Sequence, residues 1–219
     1  MGITWDDEIE EIVKGDLTVA LGYRTPAGGV VVQAVAPIGL GDRDAGTLGF
    51  TTSLGFSKKL ERIARDPRVA MAFHAREHGF GGGPAYVLVQ GTARVIAAPS
   101  EAEREQVKTL ATRYLGPPAE GFFWDRWLRE YYEARVPVEV DVERMLVWPQ
   151  LDCAGSPRRL GRPPVPGDPP PQKPPRQGSG PRVDAARAGR RVRGTEHRLL
   201  GFAGADGWPV IVPVEIEDL

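Results

Sequence analysis

Residues 50–60 read Phe50-Thr51-Thr52-Ser53-Leu54-Gly55-Phe56-Ser57-Lys58-Lys59-Leu60. Three hydroxyls in a row, a glycine turn, a fourth hydroxyl and two lysines fall within eleven positions. The run before Leu54 is β-rich and the run after Phe56 is helical, so a strand hands over to a helix capped by Ser57. Lysine in a first helical turn opposes the macrodipole by about 0.3–1 kcal/mol per charge. Helix-end amides, hydroxyls and ammonium groups together make an anion site, the chemistry of a phosphate cradle. Solvated lysines on an amphipathic helix would account for the same spacing, and the residues alone leave both readings open.

Other groups carry less. His74 and His78 are four apart, but they flank a strand end and a Gly-rich loop with no third ligand near, so no metal site is expected. Gly79-Phe80-Gly81-Gly82-Gly83 lacks the Lys-Ser/Thr of a nucleotide loop and precedes a strand; it reads as a mobile hairpin tip, a lid over a groove. Trp124, Trp127, Tyr131 and Tyr132 at helical spacings read as packing residues. The single cysteine, Cys153, allows no internal disulfide and no Cys-rich zinc site, which places the chain in a reducing cytoplasm. No catalytic side chain is identifiable.

The elements that would position the cradle follow from period and punctuation. Trp5, Ile9, Ile12 and Val13 share a helical face, so 5–14 is predicted helical. Leu17–Arg24 and Val30–Pro37 form a hairpin across Thr25-Pro26-Ala27-Gly28-Gly29. Gly46–Ser53 is a third strand, and the helix of Leu60–Arg65 stops before Pro67. Arg68–Ala75, Ala85–Ala97 and Val136–Val147 complete six strands. Ser100 caps a helix reaching Tyr114, with Glu103 completing a capping box, and a further helix spans Phe123–Glu133. The fold class is α+β dominated by β: a six-stranded antiparallel barrel with peripheral helices.

Of 219 residues, 41% are apolar and 26% charged, a globular composition with no apolar run near bilayer length. The acidic first residues are not those of a signal peptide. The net charge of −1 conceals segregation. Residues 1–154 hold 17 basic and 22 acidic groups, residues 155–200 hold 11 and 3, and residues 201–219 hold none and 4. Ten of the 21 prolines lie between Gly155 and Arg182, which should bar helix and sheet there. The organisation is therefore a folded unit at 1–154, a Pro/Arg-rich linker at 155–196 and a C-terminal β-hairpin at 197–219. That hairpin echoes Leu17–Val35, as the start of a partial second barrel repeat. The arginines of 182–198 read as a solubilising tether rather than a nucleic-acid contact.

Phe50-Thr51-Thr52, Ser57-Lys58-Lys59-Leu60, Ala64-Arg65-Asp66-Pro67-Arg68-Val69-Ala70-Met71 and Tyr86-Val87-Leu88-Val89-Gln90-Gly91-Thr92-Ala93, in that order, resemble the pyridoxamine 5′-phosphate oxidase-like superfamily of split β-barrel flavin and deazaflavin oxidoreductases. The resemblance covers about residues 5–150. It implies a homodimer with the cofactor in an interface groove, FMN or in some branches coenzyme F-420, and hydride transfer to or from a small organic substrate. By position, Thr51, Thr52, Ser53, Ser57 and Lys59 would hold the cofactor phosphate with help from Lys58. Gln33 and Val35 would line the ring, and Gln90 would contact ring or phosphate. The oxidase's Arg-x-His for its pyridoxal substrate has no match here. The alternative is a non-catalytic carrier of flavin, deazaflavin or haem with the same fold.

Overall fold

The structure is a computed structural model. It describes all residues except 1–2, 78, 117–120, 122–134, 174–184 and 217–219, and also leaves out the side chains of 54, 115, 185 and 186. The predicted helix at Phe123–Glu133, with its four aromatic residues, lies outside the described residues, as does His78.

Helix α1 (Asp7–Gly15) opens on Asp6, whose carboxylate accepts from the Ile9 amide, and buries Ile9, Ile12 and Val13. Strands β1 (Val19–Arg24) and β2 (Val30–Val35) pair in register from Val19–Val35 to Arg24–Val30. Gly28 closes their turn at φ +90°, a region in which only glycine is unstrained. The two-residue β3 (Gly41–Asp42) pairs with β4 (Thr47–Ser53). A 3₁₀ turn (Leu54–Phe56) then leads into α2 (Ser57–Arg65). Strands β5 (Arg68–Phe73), β6 (Tyr86–Val95) and β7 (Arg135–Trp148) follow, with α3 (Glu101–Leu115) between the last two. The capping box of Ser100 and Glu103 is present at the start of α3.

All strand pairings are antiparallel, and the main sheet runs β2-β1-β5-β6-β7-β4-β3. Its two sides approach but do not join by a ladder: Ala36, just past the end of β2, meets Thr51 of β4 at one isolated bridge. The sheet is therefore not closed. It also has eight strands rather than six, because β3 and a short β8 (Arg158–Gly161) join it. Strand β8 overturns the expectation that the Pro-rich stretch is barred from the sheet. Four residues free of proline, Arg158-Arg159-Leu160-Gly161, suffice to pair with Val147–Arg144 of β7. Strand β4 covers β7 only from Arg135 to Asp141, so the far half would otherwise be an open edge. Helix α4 (Ala185–Arg193) occupies part of the remaining linker.

The main core lies inside the curved sheet, with Leu21, Phe50, Met71, Phe73, Val87, Val89, Val138 and Met145 under α1 and Ile63 of α2. A second cluster lies on the opposite face. There the C-terminal hairpin, β9 (Leu199–Ala203) and β10 (Pro209–Pro213), docks on the main sheet. Ile211, fully buried, packs with Ala20, Ala70, Ala72, Tyr86 and Leu88. Tyr86 donates its hydroxyl to the Ile211 carbonyl at 2.7 Å.

Candidate functional site

Thr51, Thr52 and Ser53 end β4 and are all buried. The hydroxyls of Thr51 and Thr52 have no hydrogen-bond partner among the described residues. Buried polar groups are normally satisfied, so two adjacent exceptions call for a ligand or water. Side chains alternate along a strand. Thr52 therefore shares the face of Leu48 and Phe50, towards the core, while Thr51 and Ser53 face the other way. Ser53 is already engaged, accepting from the Gly55 amide at 3.2 Å and capping the 3₁₀ turn.

The cap differs from the one expected. Ser57 is the first residue of α2, and the capping position is Phe56, which offers no side-chain hydrogen bond. The physical reason is the 3₁₀ turn: it brings the chain into helical geometry one residue early and takes its own cap from Ser53. The first amides of α2 are thus uncapped by any side chain, which leaves them available to an anion.

The two lysines part ways. Lys58 is exposed, while Lys59 lies four residues before Ile63 on the inward face of α2 and is buried, only 6% exposed. Its ammonium lies 4.8 Å from the centroid of the Phe56 ring, and among the described residues no carboxylate pairs with it. Burial, and secondarily the positive charge of Arg135, hold its pKa below the ordinary lysine value. Arg135 stands opposite Ser53 at the start of β7. It was not singled out from sequence. Only strand register brings it here, eighty-two positions away, and no local motif marks it.

The remaining predicted residues are placed differently. Val35 is buried in the main core. Gln33, two positions earlier, is exposed on β2. The backbone of Ala36 reaches the site by bridging to Thr51. Gln90 is not brought to this corner. Its amide is spent at both ends, donating to the Pro209 carbonyl and accepting from Arg144, which in turn pairs with Asp206 at 2.6 Å. It clamps the C-terminal hairpin, a partner that nothing local in the sequence announces.

One further expectation changes. The Gly79–Gly83 loop is not a free lid. It packs on the C-terminus of α1, where the Phe80 amide donates to the Gly15 carbonyl at 2.9 Å and the Gly82 amide to Glu11. His74 meets His197 edge to face at 5.4 Å, and exposed His197 lies 3.2 Å from Glu77. A cleft of about 700 Å³ lies elsewhere, between the β1–β2 turn, the C-terminal half of α2 and the chain at Pro171–Lys173. Cavity size and the orphaned hydroxyls thus mark different places. The hydroxyls, the uncapped helix and the buried ammonium are the better guide to a phosphate, because they specify charge and donors rather than volume.

A sequence profile of the pyridoxamine 5′-phosphate oxidase family matches residues 5–146. Among solved structures, a conserved hypothetical protein of Mycobacterium tuberculosis is 22% identical, over 68% of this chain and 87% of that one, with a TM-score of 0.48. General Stress Protein 26 of Bacillus anthracis is 16% identical over 71% and 97%, with a TM-score of 0.45. An F420 reductase is 22% identical over 62% and 94%, with a TM-score of 0.42. No curated protein matches the chain. The profile spans the strands and the corner that carries Thr51 to Lys59, and the chain belongs to the pyridoxamine 5′-phosphate oxidase family.

Proposed function

We propose that the chain is a flavin-dependent oxidoreductase that holds FMN by its phosphate where β4 passes into α2, works on a small organic substrate, and does so as a homodimer. The observation that carries this is the buried, unpartnered hydroxyl of Thr52 on the inward face of β4, seven positions before Lys59, a buried ammonium that no carboxylate pairs with among the described residues. The residues fit a phosphate: hydroxyl and amide donors, one desolvated cation in Lys59, and a second positive charge in Arg135. Lys59 supplies the charge, the first amides of α2 supply directional donors, and Thr52 on the inward face fixes the depth. When bound, the isoalloxazine ring supplies hydride transfer, and the protein supplies orientation and a dry pocket. Coenzyme F-420 also carries a phosphate and is the alternative occupant.

Titrating the purified protein with FMN and with F-420, and following cofactor fluorescence, tests the assignment. FMN is expected to bind, and Lys59→Gln to weaken it at least tenfold, about 1.4 kcal/mol. Binding of F-420 alone would replace the cofactor, and binding of neither would remove the reading. Anaerobic reduction of the bound cofactor followed by a screen of electron acceptors separates an enzyme from a carrier.

A further inference from the structure

The 700 Å³ cleft is lined by Arg24, Arg62, Arg65, Arg68 and Lys173, against a single carboxylate, Asp66. None of the residues from Thr51 to Lys59 contributes to it. Most such clusters are internally neutralised, and this one is only partly so. Asp66 is committed to Arg68 by two hydrogen bonds, Nε–Oδ1 at 2.8 Å and Nη2–Oδ2 at 2.7 Å, and reaches Arg24 only at 3.7 Å. That double contact holds the Asp66 carboxyl below the usual carboxylate range, so it stays ionised and bound to Arg68. Arg65 is paired outward with Glu61 at 2.7 Å. Arg24 therefore has only the outer reach of a carboxylate already held by Arg68, Arg62 touches the neutral hydroxyl of Tyr23, and Lys173 has no acid among the described residues, so net positive charge is left at the cleft.

A second observation is independent of the charge count. The Nε of Arg24 is buried and has no hydrogen-bond acceptor among the described residues. A guanidinium N–H removed from water and left without an acceptor is costly, and an oxygen of a bound anion would satisfy it. The chain has also built a wall for this space. The Lys173 amide donates to the Ala27 carbonyl at 2.9 Å, and Gln172 packs on Gly29. The proline-rich stretch is thereby held on the β1–β2 turn, with Lys173 facing the arginines.

We propose that this cleft is a second binding site, for a compact polyanion: a small molecule carrying two or more phosphate or carboxylate groups, gripped by Arg24 and Arg62 on one side and Lys173 on the other. Its volume exceeds what a lone phosphate fills, and guanidinium forks favour multidentate oxyanions over single charges. The site stands whether or not the β4–α2 corner holds a flavin.

Calorimetric titration of the full-length protein with inorganic pyrophosphate, citrate and orthophosphate, at constant ionic strength, tests it. Saturable binding of pyrophosphate or citrate at one per chain, at least tenfold tighter than orthophosphate, is expected. The better of the two identifies phosphate or carboxylate as the ligand's chemistry. Arg62→Gln and Lys173→Gln are each expected to weaken it at least fivefold, and Lys173→Gln, at an exposed position, to do so without lowering the melting temperature of the free protein. Lys59→Gln is expected to leave it unchanged. Absence of saturable binding overturns the proposal. So does binding that is lost in Lys59→Gln but retained in Arg62→Gln and Lys173→Gln, which would place the probe at the other corner.

Discussion

Lys59 and Asp16 are both ionisable groups taken out of water, and burial works on them in opposite senses. Lys59 has a depressed pKa, so it loses its proton at a lower pH than an ordinary lysine. The affinity of the β4–α2 corner for a phosphate should therefore decline as pH rises, beginning below the usual lysine range. Dissociation constants measured from pH 6 to 10 would show this, and Lys59→Arg should flatten the profile if it binds at all. Asp16 is buried, with one oxygen 2.7 Å from Arg76 and the other without a partner. Burial pushes its pKa up to about 7 despite Arg76. A carboxyl whose folded pKa exceeds its unfolded one binds more protons when folded. Its contribution is full below about pH 4 and is lost as pH rises to about 7. Against the Asp16→Asn variant, whose amide does not titrate, the wild type should lose about 2 kcal/mol of relative stability between pH 5 and 8. Urea unfolding at the two pH values measures it, and a constant difference would show that Asp16 is already ionised throughout.

Elements here are joined by close backbone approach as much as by side chains. At Gly15, the last residue of α1, an added Cβ would run into the backbone nitrogen and Cα of Gly81. Neither side can yield cheaply, because the Phe80 amide is bonded to the Gly15 carbonyl and Arg76 donates to the carbonyls of Gly83 and Ala85. Gly15→Ala should cost about 1–3 kcal/mol, read as a lower urea midpoint with an unchanged slope. The glycine run from 79 to 83 looked like a loop tip because glycine permits mobility. It is used instead to let one backbone lie on another, and composition does not distinguish these two uses. The β1–β2 hairpin and the capping box at Ser100 were legible because their causes are local: a Gly-containing turn between two β-rich runs, and a serine three residues before a glutamate. Strand β8 was not, because its cause is the uncovered half of β7 rather than anything within Arg158–Gly161.

The whole molecule is a curved sheet covered on one face by helices and on the other by its own C-terminal hairpin. That hairpin has little core of its own. Its anchors are Ile211, set among the small residues Ala20, Ala70 and Ala72, and the line from Gln90 through Arg144 to Asp206. Ile211→Ala should cost about 2–5 kcal/mol of docking. Because the hairpin docks on a sheet that has its own core, the loss should appear as faster hydrogen exchange in β9 and β10 with the amides of β6 and β7 still protected. Equal loss of protection in all four strands would show that hairpin and sheet fold as one unit. No described helix is long and apolar enough to cross a membrane.

Alternation, turn residues and caps are properties of neighbours along the chain, so the sequence by itself determined the order of the six longer strands and of α1 to α3, the hairpin and the hydroxyl-to-lysine corner with its family resemblance. Which groups stand near which was decided only by the tertiary structure, since register sets Arg135 opposite Ser53, docking spends Gln90 on the hairpin, and the packing of one face of α2 buries Lys59 while leaving Lys58 in solvent. The cleft of Arg24, Arg62 and Lys173 joins residues 149 positions apart at its extremes, and a charge field of that kind exists only once the chain has folded.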